Sequence, residues 1–89
     1  MAWTIEYDHR ALKDLKKLDR KIQREILDYM DERVAKSKDP RHFGKPLRAS
    51  KFGLWRYRVR DYRIICEVQD KRLVVLVVAV VHRSPIYEE

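Results

Sequence analysis

This sequence is poor in the residues that cross-link, bend or anchor a chain. It has one cysteine, Cys66, in 89 residues, which excludes an internal disulfide and leaves no thiolate cluster for a structural metal. A secreted domain this small usually carries several disulfides, so the expected compartment is the cytosol. Two glycines and three prolines leave no room for a flexible linker or a low-complexity segment. The longest apolar run, Leu73 to Val81, has nine residues, whereas a membrane helix needs about 20. The N-terminus, MAWTIEYDHR, has no apolar stretch of signal-peptide length. No P-loop, dinucleotide fingerprint or HExxH zinc motif is present. These absences predict one domain over residues 1–89, with no metal, cofactor or membrane contact. Such a chain buries roughly 60–65% of its unfolded surface.

Acid is scarce in one place only. Residues 41–63 hold eight basic residues and a single acid, Asp61, and so carry the whole net charge of +7. The remaining 13 basic and 13 acidic residues cancel. A patch of this kind attracts polyanions, whether RNA, DNA or an acidic protein. Its centre alternates strictly: Trp55, Tyr57 and Val59 against Arg56, Arg58 and Arg60. A period of two is a strand, with one face for a core and one presenting guanidinium groups. Guanidinium is planar, permanently charged and suited to bidentate contact with phosphate. Arg48 and Lys51 extend the basic stretch upstream, and His42 in the same stretch fits phosphate contact and plain exposure equally well.

The rest of the pattern predicts the architecture. Trp3, Ile5 and Tyr7 alternate as a short first strand. Asp8 suits an N-cap for a helix with Ala11, Leu12, Leu15 and Leu18 at helical spacing. Asp19 suits the cap of a longer helix carrying Ile22, Ile26, Leu27, Tyr29, Met30 and Val34, which Asp39-Pro40 terminates. The two helices together are close to charge-balanced, so nothing in them proposes chemistry. A basic connection over 41–53 leads to the arginine strand at 54–60, a turn at Arg60-Asp61 and a strand from Tyr62 to Gln69. After Asp70-Lys71, Leu73 to Val81 is apolar on both faces, the mark of an interior strand. The prediction is an α+β domain in the order β-α-α-β-β-β. An antiparallel helix hairpin packs on one face of a small, mainly antiparallel sheet, and the first strand lies beside the apolar one.

A chemical constellation follows the last strand. His82, Arg83 and Tyr87 are expected near one edge of the arginine face. Metal-free RNA cleavage needs a base for the 2′-OH, an acid for the leaving 5′-oxygen and cations for the charge on phosphorus. Arginines supply the cations. A neighbouring arginine would favour the phenolate of Tyr87, His82 is the conventional acid–base residue type, and Arg83 clamps phosphate better than it donates protons. The acid and base assignments stay open among these three. Trp55 and Tyr57 read as core, and Cys66 as inert core.

Together the pieces resemble the RelE toxins of bacterial and archaeal type II toxin–antitoxin modules, within the broader RelE/ParE superfamily. The opening strand and the helix Asp8 to Leu18, the block LWRYRVRDYRIICEV at 54–68 and the tail HRSPIY at 82–87 carry the resemblance. It implies a RelE-like fold and a toxin that binds the ribosomal A site and cuts mRNA there without a metal, using the 2′-OH as nucleophile. Tyr87 would be the base. Arg83 would hold the phosphate or assist the leaving group, while Arg56, Arg58 and Arg63 would hold the RNA backbone and the pentavalent phosphorus. His82 remains the alternative acid on bottom-up grounds. The implied partners are a cognate RelB-like antitoxin with an acidic segment, ribosomal RNA and mRNA, with DNA bound only through the toxin–antitoxin complex. Several family members continue into a C-terminal helix where this sequence stops two residues after Tyr87, which predicts a mobile tail. Two other readings share the fold: a ParE-like gyrase inhibitor that binds without cutting RNA, and a degenerate toxin kept as a repressor partner.

Overall fold

Three aspartates set the helical layer in place. Asp8 and Asp19 are N-caps, their carboxylates accepting from the Ala11 N–H at 2.9 Å and the Lys21 N–H at 2.7 Å. Helices α1 (His9–Lys16) and α2 (Arg20–Tyr29) therefore begin where the sequence pattern places them. Asp14, further along α1, reaches the sheet, and its Oδ2 accepts the Val80 N–H at 3.0 Å. The computed structural model describes residues 2–48 and 53–82.

The end of the second helix departs from the expectation. Ile22, Ile26, Met30 and Val34 recur every four residues, and on a 3.6-residue helix such a row drifts by about 40° per step. The chain corrects the drift by winding Met30–Val34 as a π-helical turn, with the Ala35 N–H bonded to Met30 O at 2.8 Å. Ile26, Met30 and Val34 all end up fully buried. The pattern predicts helix as far as Asp39-Pro40, but the structure ends it at Ala35, whose carbonyl accepts the Trp3 N–H at 2.9 Å. Pro40–His42 forms a separate 3-10 turn, capped by Asp39.

The strands are β1 (Thr4–Tyr7), β2 (Lys45–Pro46), β3 (Trp55–Val59), β4 (Tyr62–Gln69) and β5 (Val74–His82). They form one five-stranded sheet in the order β1-β5-β4-β3-β2. β3, β4 and β5 are the expected antiparallel meander. β1 runs parallel to β5, from Thr4 opposite Val74 to Tyr7 opposite Val77, so the apolar strand does lie inside the sheet. β2 is a two-residue strand on the far edge, opposite Trp55 and Arg56.

Side-chain parity then sorts the faces. Tyr57, Ile64, Cys66, Val75, Val77 and Val80 join the core under the helices. Val77 and Val80 are three residues apart, and a strict period of two would send them to opposite faces. A register slip resolves this: Ile65 faces Ala79 while Cys66 faces Val77, leaving Val78 as the extra residue of a bulge. β1 ends opposite Val77, and the Asp14 carboxylate takes over the β5 backbone three residues further on.

Candidate nucleic-acid interface

The sheet face away from the helices carries the arginines. Arg56 lies opposite Ile65, and Arg58 lies directly opposite Arg63 of β4. Cross-strand partners share a face, so these three stand together while Tyr57 and Ile64 point into the core. What fixes them is the underside of β3. Tyr57 is fully buried, its hydroxyl donates to Pro40 O at 2.9 Å, and its ring meets Tyr29 with centroids 6.1 Å apart. The Trp55 Nε1–H donates to Phe43 O at 2.6 Å. Gly44 passes so close that a Cβ there would lie 2.2 Å from Arg56 O. The backbone under the arginines is thus held along its length.

Directly opposed partners have Cβ atoms roughly 4.5–5.5 Å apart, and like charges so placed destabilise a sheet. The Arg58–Arg63 pair therefore concentrates positive charge at a structural cost. Arg56 and Arg63 are half-buried and Arg58 is exposed, its Nε–H donating to Arg60 O at 3.4 Å. A partly desolvated guanidinium cluster is suited to bidentate contact with phosphate oxygens.

Arg60 does not stand in this row. It occupies the β3–β4 turn at φ 55°, and its guanidinium makes two bonds to the Glu25 carboxylate of α2, at 2.5 and 2.6 Å. Those bonds hold the Glu25 carboxyl below the usual carboxylate range. The strict alternation ends at Val59 because the chain reverses at Arg60, and parity has no meaning inside a turn.

His82 also lies elsewhere. It is the register partner of Tyr62, and the two rings meet edge to face with centroids 5.0 Å apart and planes at 81°. Tyr62 packs against the core, so His82 falls on the helix-side face, opposite to Arg56, Arg58 and Arg63. Arg48 is exposed in the connection between β2 and β3. Lys51, Arg83 and Tyr87 lie outside the described residues. His42 is exposed on the 3-10 turn, beside Arg33, Lys38 and Phe43 in a shallow cleft away from the arginine face. Burial pushes the Cys66 thiol up, which keeps it protonated and unreactive near neutrality. Among the described residues no group of three or more His, Cys, Asp or Glu side chains is placed to hold a metal ion. No helix of the described residues is long and apolar enough to cross a membrane. Asp14 and Glu25, which organise the edges of this sheet, have no local sequence signal; both are helix residues whose role comes from tertiary contact alone.

Known proteins match this chain along nearly its whole length. The family model described as the ParE toxin of the type II toxin–antitoxin system parDE matches residues 5–87. Toxin RelG of Mycobacterium tuberculosis is 30% identical over 87 residues, which cover 98% of each chain. Among solved structures, the toxin–antitoxin complex RelBE2 from Mycobacterium tuberculosis matches with a TM-score of 0.82 at 26% identity, covering 93% of each chain. The archaeal RelE–RelB complex from Pyrococcus horikoshii OT3 matches with a TM-score of 0.76 at 25% identity, covering 96% of this chain and 99% of that one. With its parallel β1–β5 pair, its helix hairpin and its arginine-bearing sheet face, this chain belongs to the ParE toxin family of type II toxin–antitoxin systems, within the RelE/ParE superfamily.

Proposed function

We propose that this toxin is a metal-independent endoribonuclease that cuts mRNA in the ribosomal A site and so arrests translation in the cytoplasm. The observation that carries the reading is the opposed Arg58–Arg63 pair, with Arg56 beside it, on the sheet face away from the helices. Like charges placed face to face weaken a fold, and a phosphate lying across them converts that cost into binding. Arg48 and Lys51 are further proposed phosphate contacts, whereas Arg60, engaged by Glu25, acts as a structural clasp.

Cleavage then follows from general phosphate chemistry. The 2′-oxygen forms a bond to the adjacent phosphorus as its proton passes to a base, and the bond from phosphorus to the 5′-oxygen breaks as that oxygen takes up a proton. Arg56, Arg58 and Arg63 hold the negative charge that develops on the phosphoryl oxygens. Tyr87 is the proposed base and Arg83 the group at the phosphate or the leaving oxygen. The face on which His82 lies favours Tyr87 over it for proton transfer. Neutralisation falls to a cognate antitoxin whose acidic segment covers the arginine face, in line with the RelE–RelB and RelBE2 complexes that resemble this chain.

A second reading has its own support: the matching family model bears the ParE name, and a gyrase inhibitor on this fold acts by binding alone. Primer extension on ribosomes carrying a defined A-site codon separates the two. Cuts at that codon are expected from wild type, with the rate falling about 10²–10³-fold in Arg63→Ala and Tyr87→Phe. His82→Gln is expected to stay within about threefold of wild type. Uncut mRNA from a toxin that still arrests growth would overturn the nuclease reading, and inhibited supercoiling would establish the gyrase one.

A further inference from the structure

Residues 38–43, between the π-helical turn and β2, are tied down along their whole length. The chain has two tryptophans, and both donate their indole N–H to this stretch. Trp3 bonds Lys38 O at 3.4 Å and Trp55 bonds Phe43 O at 2.6 Å. Between them Tyr57 donates to Pro40 O, Asp39 caps the 3-10 turn, and Arg41 makes two bonds to Asp70 at 2.9 Å. The backbone is therefore set before any ligand arrives, while the Lys38 and His42 side chains stay exposed. Together with Arg33, Lys36 and half-buried Phe43 they line a cleft of about 550 Å³. Phe43 also packs against the core, which fixes its ring. Glu32, the acid among the described lining residues, pairs with Lys36 at 2.8 Å. Arg33, Lys38 and His42 enter no ion pair among the described residues.

We infer that this cleft binds a free nucleoside polyphosphate, its base against Phe43 and its phosphates on Arg33 and Lys38, separately from the arginine face. Small-molecule sites are largely pre-formed, span roughly 300–1,000 Å³ and set a few polar groups beside apolar or aromatic walls. A segment already held by its own hydrogen bonds spares the ordering cost of binding. Guanidinium and ammonium groups take phosphate oxygens, the His42 ring adds an N–H donor, and an aromatic ring stacks on a base. Acid on both sides of the cleft favours a compact anion over a long one. The adjoining groove along α2 is lined by Glu25, Asp28 and Glu32, and residues 25–32 hold four acids and no cation. On the other side Asp39 and Asp70 flank Arg41. A strand of RNA or an acidic peptide leaving the cleft would meet like charge in either direction, whereas a mononucleotide ends within it. The inference stands apart from the RNA-cleavage reading, since it uses none of the residues assigned to cleavage.

The test titrates the full-length, nitrogen-15-labelled toxin with ATP, and in parallel with tripolyphosphate and with adenosine, at about 0.15 M salt, where contacts between exposed charges are screened. ATP is expected to shift the amide resonances of Arg33, Lys38, His42 and Phe43 saturably, and to bind at least about tenfold tighter than tripolyphosphate or adenosine. Phe43→Leu is expected to bring ATP to within about threefold of tripolyphosphate, while Phe43→Tyr, which keeps a stacking ring, retains the preference. Arg33→Gln with Lys38→Gln is expected to weaken both anions about tenfold. This double variant changes exposed side chains alone, so it carries the test even if Phe43→Leu fails to fold. Arg58→Gln is expected to leave ATP affinity within about threefold of wild type. Equal affinity of wild type for ATP and tripolyphosphate would overturn the inference, since a general anion surface would then explain binding. A loss in Arg58→Gln as large as in the double variant would overturn it by moving ATP to the arginine face. A single-stranded RNA hexamer that binds more tightly than ATP through Arg33 and Lys38 would overturn it in favour of an RNA strand.

Discussion

At the scale of single residues, Arg58 shows how function and stability oppose each other in this fold. It faces Arg63 across the β3–β4 ladder, an arrangement that a sequence selected for stability alone would avoid. Arg58→Gln removes one of the two charges and keeps a polar, flexible side chain. Urea unfolding is expected to show the variant about 0.2–1 kcal/mol more stable than wild type, while mRNA cleavage falls. Lower stability would mean that Arg58 makes a net favourable contribution to the sheet. Arg56 and Arg58 were legible as a pair because alternation along a strand dictates their common face, whereas Arg63 entered through the resemblance and its place opposite Arg58 is set by the β3–β4 register. Arg60 and His82 were not. The first leaves the pattern where the chain reverses, and the second takes its side from pairing with Tyr62.

At the scale of elements, β3 is a short strand whose position depends on what lies beneath and beside it. Gly44 is the tightest of these contacts. It sits at φ +71°, and a Cβ would meet Arg56 O at 2.2 Å and Trp55 Nε1 at 2.9 Å. Gly53 shares a positive φ of +67° but has nothing within 4 Å of its would-be Cβ. The two glycines therefore separate conformational strain from collision. Gly53→Ala is expected to cost about 1–2 kcal/mol, the price of a left-handed residue alone. Gly44→Ala is expected to cost about 3 kcal/mol or more, since β2 must also move off β3. Denaturant unfolding of the two variants checks the difference, and equal losses would mean that the Gly44 segment shifts freely. The π-helical turn belongs to this scale as well. Its four-residue apolar spacing was visible, but an α-helix and a π turn differ by where the core lies, which the spacing does not record.

Across the whole molecule, two exposed two-bond ion pairs clasp opposite ends of β4. Arg60 bonds Glu25 beside the β3–β4 turn, and Arg41 bonds Asp70, both contacts at 2.9 Å, at the β4–β5 turn. In each case the arginine's hydrogen bond lowers the pKa of the acid. A folded-state pKa below the unfolded value stabilises the fold above the ordinary carboxylate range, and that contribution disappears as pH falls through the folded value. Glu25→Gln is accordingly expected to melt below wild type at pH 7, with the gap closing as pH drops through and below the ordinary carboxylate range. Thermal melts across that window check the sign, and a gap independent of pH would show that the Glu25 charge contributes nothing. Because both pairs are exposed, added salt is expected to narrow the gap at pH 7 as well.

The sequence by itself determined the element order, the two helix N-caps, the interior position of the apolar strand and the basic face of β3. Each depends on local periodicity or on a side chain meeting its own backbone. Only the tertiary structure decided that Arg60 turns to Glu25, that His82 takes the face of Tyr62, and that a bulge at Val78 lets Val77 and Val80 share one core. It also decided that Asp14 serves the β5 backbone and Glu25 binds Arg60, which leaves the helix cations outward. Summing charge along the helices hid that surface, because addition ignores which acids have already been claimed. Those outcomes depend on hydrogen bonds and pairings between residues far apart in the chain, and such partners exist only once the sheet and the hairpin are packed together.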